Sequence, residues 1–321
     1  MAAKNPAKVR RLNTRLLAII LLFFMLVIAA PRQAQAALTP DQQTKANAAL
    51  LSLWESNSKP SYAAGASQVT AAQVNAVLAS GANVNATDKK GHSALMAASA
   101  SGNLPCATLL VSKEADINAR DDEGWTSLMY ACLGSKVSCA AFLISKGAKL
   151  EAKESGGQTV LLVVAQALME TSYAADANAG HLVPVVPDQA GLMACVKLLI
   201  ASGANVNARD NEGETALMLA ASGTGAGNVD CVRLLLSKGA EVNATDKDGE
   251  TALMLASAGA SIVTSSATIP AMGSADCVTL LISKGATVNA KDKKGKSALD
   301  WAGDQPAIIV ILKAAGRRQI D

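Results

Sequence analysis

The sequence predicts an all-α solenoid in which short helix–turn–helix units, joined by β-turn or hairpin loops, stack in a line. Three observations carry that expectation. Six segments repeat one pattern, of which Asn207-Ala-Arg-Asp-Asn-Glu-Gly-Glu-Thr-Ala-Leu217 is an example. Their glycines, Gly91, Gly124, Gly157, Gly213, Gly249 and Gly295, are spaced by 33, 33, 56, 36 and 46 residues, which one unit of 33 with insertions of 0, 0, 23, 3 and 13 explains. The composition suits small stacked helices better than a large sheet core: 50% of the 321 residues are apolar, yet aromatics reach 3% and charged residues 17%.

The chain opens outside this array. Lys4, Lys8, Arg10, Arg11 and Arg15 form a basic run without acids, residues 16–30 are apolar throughout, and Ala34-Gln35-Ala36 offers the small residues a signal peptidase takes. That order marks residues 1–36 as a secretory signal peptide, cleaved after Ala36. The apolar run of 15 residues is shorter than the roughly 20 of a bilayer span, so an uncleaved anchor is the lesser reading. Leu-Asn-Thr after Arg10-Arg11 speaks against a twin-arginine signal, and no cysteine precedes Cys106 to carry a lipid. The expected location is the periplasm, or outside the cell. Residues 1–36 also hold six Lys or Arg and no acid, so the net charge of +3 becomes −3 without them. The basicity belongs to the targeting segment and offers nothing to nucleic acid.

Within a unit, Asp-x-x-Gly makes a tight turn, with the carboxylate bonding its own backbone and the glycine supplying positive φ. Ser or Thr two residues later caps a first helix such as Leu217–Ser222. A loop and a second helix such as Cys231–Leu236 follow, closed by Ser-Lys-Gly with Gly239 past its end. Neither helix is long enough to stand alone, so stacking on neighbours must supply the stability. Residues 37–81 are expected to cap the array, with helices at Pro40–Ser56 and Ala71–Ser80 and a polar connection, Asn57–Gln68, between them. Residues 82–316 hold about six units, with insertions near 167–192 and 258–274 between the two helices of their units. Residues 317–321 are expected as a C-terminal tail.

Turn, helix and helix in 33 residues, with Asp-x-x-Gly-x-Thr-x-Leu and Gly-Ala-x-Val-Asn-Ala, resembles the ankyrin repeat over roughly residues 70–316. One element departs from the family: its Thr-Pro-Leu-His becomes Ser-Ala-Leu-Met96, Thr-Ser-Leu-Met129, Thr-Ala-Leu-Met218 and Thr-Ala-Leu-Met254, which removes a preset φ and a side-chain hydrogen bond. The resemblance implies a non-catalytic module that grips another protein in a concave groove lined by turn tips and first helices.

By motif position the groove residues are Lys89, Lys90 and His92; Asp122, Glu123 and Trp125; Gln158; Asn211, Glu212 and Glu214; Lys247, Asp248 and Glu250; and Lys293, Lys294 and Lys296. Both ends are basic and the centre mainly acidic. Charges at turn tips are also what solvation alone places there. Trp125 beside a turn glycine is different, because tryptophan is favoured in binding hot spots. Trp54 and Trp301 are read as packing residues of the two ends. A monomer that binds a protein, and touches a membrane only through an uncleaved signal, is the expectation.

Catalytic chemistry has little to stand on. The two histidines, His92 and His181, form no Cys-x-x-Cys or His-x-x-x-His pattern, so neither metal nor cofactor is expected. Gly223-Thr-Gly225-Ala-Gly227 has no strand before it and no Lys-Ser/Thr after it, and reads as a linker. Cys106, Cys139, Cys195, Cys231 and Cys277 occupy one equivalent place in the second helix. Stacked helices lie about 8–10 Å apart, beyond the roughly 4.4–6.8 Å between Cα atoms that a disulfide needs, so these cysteines read as small apolar core residues. Cys132 lies in a first helix, and its pairing with a neighbour stays open. The alternative function is a ligand-binding or enzymatic site in the two insertions, since long structured loops are often functional.

Overall fold

The computed structural model describes residues 38–55, 69–168, 172–175, 182–185, 188–223, 226–258, 262–263, 268–269 and 274–318. The segment expected as a signal peptide and parts of both insertions lie outside these. The described helices are α1 (Pro40–Glu55), α2 (Ala71–Ala79), α3 (Ala94–Ser101), α4 (Leu104–Ser112), α5 (Ser127–Leu133), α6 (Val137–Ser145) and α7 (Val160–Ala167), then α8 (Gln189–Ala201), α9 (Ala216–Ser222), α10 (Ala226–Ser237), α11 (Ala252–Ala258), α12 (Ala275–Ser283), α13 (Ala298–Trp301) and α14 (Pro306–Arg318). Odd-numbered helices pack on odd-numbered neighbours and even on even, so the array has an inner row and an outer row. Helices α1 and α2 continue these two rows as one more pair at the N-terminal end. Each insertion carries a short antiparallel hairpin, β1 (Ser172–Ala175) with β2 (Leu182–Val185), and β3 (Ile262–Val263) with β4 (Thr268–Ile269). Among the described residues no helix is long and apolar enough to cross a membrane.

The local chemistry of each unit follows the repeated segment. An antiparallel bridge such as Arg209↔Thr215 closes the turn, and Gly213 lies at φ +83°. A side chain there would also meet the backbone of the next tip, with Lys247 N 3.2 Å from the Cβ position. Thr126, Thr215 and Thr251 cap α5, α9 and α11 by accepting from Met129, Met218 and Met254 amides at 3.3–3.4 Å. At α3 the Met96 sulfur accepts the Ser93 amide at 3.4 Å, a partial replacement for the hydrogen bond lost with the family's histidine.

Two ladders join the units. Tip to tip, backbone amides of Asp122, Ser155, Asn211, Lys247 and Lys293 donate to carbonyls of Lys90, Glu123, Gly156, Glu212 and Asp248 at 2.8–3.0 Å. Behind the tips, Asn85, Asn118, Asn207 and Asn243 each bridge to the next unit: Asn207 accepts from the Glu241 amide at 2.9 Å and donates to the Gly239 carbonyl at 3.1 Å. Glu151 replaces this asparagine in one unit and keeps one of the two bonds, from the Asn205 amide at 2.8 Å.

A single apolar core runs from Leu50 to Leu312 between the two rows. All six cysteines are buried in it and uncross-linked. Three boundaries differ from the sequence expectation. Helix α10 starts at Ala226, so the glycine-rich linker is shorter than the motif suggested. Helix α8 starts at Gln189, inside the expected first insertion, because Asp188 caps it by accepting from the Gly191 amide at 3.0 Å. Helix α14 runs through Gly316 to Arg318, into the expected tail. A Cβ at Gly316 would sit 3.4 Å from Asn289 Oδ1, so the glycine gives close approach instead of an end.

Candidate protein-binding groove

The tip carboxylates position the candidate residues. In each Asp-x-x-Gly turn one carboxylate oxygen accepts two backbone amides, two and four residues on: Asp121 takes Glu123 and Trp125 at 3.0 and 2.8 Å, and Asp210 takes Glu212 and Glu214, both at 2.9 Å. The residue four on stands just before the start of the inner helix, and this makes one row across the array: His92, Trp125, Gln158, Glu214, Glu250 and Lys296. All but exposed Lys296 are partly buried. The other predicted residues, Lys89, Lys90, Asp122, Glu123, Asn211, Glu212, Lys247, Asp248, Lys293 and Lys294, form a second, exposed row at the tips. The structure therefore sorts the predicted set into a lining and a rim. Lys247 and Glu212 pair across neighbouring tips at 3.9 Å on that rim.

The second oxygen of each tip carboxylate separates the ends of the row from its centre. Asp121 Oδ2 accepts the Tyr130 hydroxyl at 2.7 Å, and Asp292 Oδ2 accepts Trp301 Nε1 at 3.0 Å. His92 Nδ1 meets Asp88 Oδ2 at 2.9 Å, and its Nε2 lies 3.7 Å from Asp121 Oδ2. Nδ1 is thus hydrogen-bonded within its own turn, while Nε2 faces the next tip carboxylate from beyond hydrogen-bond distance. Tyr130 lies between rings, tilted against Trp125 at 5.5 Å and edge-on to His92 at 6.0 Å. Burial and the Asp121 carboxylate push the Tyr130 phenol well up.

In the central units the place nine residues after the tip Asp is Leu219 or Leu255, so Asp210 and Asp246 have no aromatic donor. Glu214 fills the gap. Burial pushes its carboxyl up to about 7, reinforced by the charges of Asp210 and Asp246, a hydrogen bond to Asp210, and the charge of Glu250. Burial and the charges of Asp246, Asp248 and Asp292 push Glu250 up as well, with Lys294 opposing. A carboxylic acid whose folded pKa lies above its unfolded 4.5 adds stability that is fully present below 4.5 and is lost as pH rises through 7. Glu214→Gln should therefore stabilise the protein at pH 8 by about 1 kcal/mol, a figure discounted because the group is half exposed. Thermal melts of both proteins at pH 8 and pH 4.5 check this, and a gain that does not shrink at the lower pH would contradict it.

At the N-terminal end, α1 and α3 enclose a cavity of about 510 Å3 walled by Leu51, Trp54, Met96 and Ala97, with His92 and Tyr130 at its edge. Trp54 Nε1 is buried there without a partner. Sequence reasoning took Trp54 as packing and did not single out Tyr130. The nine-residue offset from Asp121 to Tyr130, shared by Asp292 and Trp301, was the available signal for the tyrosine. Trp54 carried none, because it lies outside the repeated segment. Trp301 does pack on the core at the other end, as expected.

The description "Ankyrin repeats (3 copies)" matches residues 62–154 and 188–265, more than half of the chain, and "Ankyrin repeat" matches residues 157–211 and 248–293. The chain belongs to the ankyrin-repeat family. Ankyrin repeats are generally non-catalytic modules that bind another protein. Among solved structures, the human ASB11 ankyrin repeat domain is similar in fold at 23% identity and a TM-score of 0.58, covering 76% of this chain and 92% of that one. A chain from the complex of the predatory endopeptidase Bd0816 of Bdellovibrio bacteriovorus with immunity protein Bd3460 is similar at 28% identity and a TM-score of 0.52, covering 71% and 98%. No curated protein matches the sequence.

Proposed function

We propose that this ankyrin-repeat protein is exported and acts in the periplasm by holding another protein in the groove, as a scaffold, an enzyme stabiliser or an immunity-type protein. The observation that carries the reading is the row from His92 to Lys296, one side chain per unit, each held by its tip carboxylate and partly open to solvent. An aromatic end, an acidic centre and a basic end give that row a sequence of chemistries for a partner to match. The cavity beside Trp54 is large enough for an apolar side chain of the partner. Likeness to a chain from an endopeptidase–immunity protein complex favours an exported enzyme as the partner.

Two measurements test this. N-terminal sequencing of the protein from the periplasmic fraction should begin at Ala37, and a chain retained in the cytoplasm would reject export. Residues 37–321 used as bait on periplasmic and membrane fractions should retain one dominant protein that a chain altered at Trp125 and Glu214 loses. Equal retention by both baits would move the site away from the groove and towards the insertions.

A further inference from the structure

Cys132 is not equivalent to the other five cysteines. It stands eight residues after its turn glycine, where the other units carry Ser99, Ala165, Ala221, Ser257 and Gly303. Ser99 and Ser257 use their hydroxyls within their own helices, donating to Leu95 and Leu253 carbonyls at 2.6 and 2.7 Å. Cys132 instead lies near the Cys195 thiol on α8, across units, close enough for each thiol to shift the other's ionisation. Both are fully buried. The chain approaches closely at this point. One helical turn beyond Cys132, Ser135 Oγ donates to the Asp188 carbonyl at 3.3 Å, and one turn before Cys195 a Cβ on Gly191 would lie 2.6 Å from Ser135 Cβ. Gly191 thus lets the start of α8 lie against the end of α5, and one turn inward from that contact the two thiols meet.

We propose that Cys132 and Cys195 form a disulfide when the chain meets a disulfide oxidant, tying the inner helix of one unit to the outer helix of the next. The spacing argument that excludes cross-links between equivalent cysteines does not apply, because this pair joins an inner to an outer helix. The neighbouring Cys195 thiol pushes Cys132 up, with burial, and Cys132 draws Cys195 down, so Cys195 ionises first and opens the exchange. Its thiolate attacks one sulfur of the oxidant and expels the other as a thiol. Cys132 then loses its proton, attacks Cys195 Sγ in the mixed disulfide and releases the second thiol. In total the two cysteines lose two protons and two electrons, which the oxidant's disulfide takes up. Helix α5 has 7 residues, and Leu133 beside Cys132 is 42% exposed, so fraying of its last turn gives the oxidant access. The bond closes a loop that contains all of α7 and the first insertion, with its ends 63 positions apart. A long loop gains most from closure. The inference does not rest on export: the geometry is the same in any compartment, and the supply of oxidant decides whether the bond forms.

The test uses the full chain, reduced and then refolded in oxidised glutathione, denatured, alkylated and mapped as unreduced peptides. The expected result is a single cross-link, Cys132 to Cys195, with the other four cysteines alkylated. Thermal unfolding of the oxidised form should shift up by roughly 5 °C or more. Cys132→Ala, which copies the residue of two other units, and Cys195→Ser should each abolish both cross-link and shift, and Cys139→Ser should abolish neither. Six alkylated cysteines, or a cross-link that joins any other pair, would overturn the proposal. Should Cys195→Ser fail to fold, Cys132→Ala with the peptide map decides alone.

Discussion

Asp121→Ala is expected to lower the stability of the array by about 3 kcal/mol, whereas Asp122→Ala beside it should cost under about 0.5. The Asp121 side chain is 2% exposed and serves two parts of the fold at once. Oδ1 holds the amides of Glu123 and Trp125, which fixes the tip, and Oδ2 holds the Tyr130 hydroxyl, which ties the tip to helix α5. His92 of the preceding unit approaches the same oxygen at 3.7 Å. Truncation leaves two amides and a half-buried phenol without their acceptor, and the loss of one partner from a charged hydrogen-bonded group is the costly case. Asp122 is exposed, and what joins it to the preceding tip is its amide donating to the Lys90 carbonyl, which alanine keeps. Asp121→Asn should fall between the two, since the amide oxygen can still accept at the tip while the phenol turns to accept from the amide nitrogen. Urea unfolding followed by circular dichroism measures all three, and equal midpoints for Asp121→Ala and Asp122→Ala would refute this account of the tip.

That contrast also shows what the sequence discloses and what it withholds. The repeated segment names Asp121 and Asp122 together, and its spacing yields the stacked helix pairs, the capping Ser or Thr and the turn glycines. Local patterns of this kind are legible because each is satisfied within a few residues of chain. The division of the groove into lining and rim is partly legible, since the residue after the turn glycine always enters the lining. The use of the second carboxylate oxygen is less so. It depends on whether a donor stands nine residues on, as Tyr130 and Trp301 do, or an apolar residue, as at Leu219 and Leu255. The same reading explains why Glu214 keeps its proton near neutral pH, which no motif announces. The cavity at Trp54 and the Cys132–Cys195 contact depend on how helices from different units meet. The repeat says nothing of either, because Trp54 lies outside it and Gly191 lies where the insertion departs from it.

Trp125→Ala is expected to weaken capture of the partner by about 30-fold, or roughly 2 kcal/mol, while leaving the fold intact. The ring is half buried, so part of its surface is open to a partner and part rests on Tyr130 at 5.5 Å. Tyr130 is itself fixed by Asp121, and the Trp125 amide by the same carboxylate. The indole is thus held in place before binding, and little side-chain freedom remains to be lost on contact. Its neighbours in the row, His92 and Gln158, are also partly buried and can exclude water around it. Lys247→Ala serves as the rim control: its partner Glu212 is exposed, and removal of a screened surface pair should change affinity by less than about threefold. Titration calorimetry with the captured partner gives both numbers, and thermal melts confirm that neither variant is unfolded. A Trp125→Ala protein that binds as tightly as the parent would leave the aromatic end as packing alone. Affinity lost equally in both variants would mean that the partner reads charge along the rim and does not enter the groove.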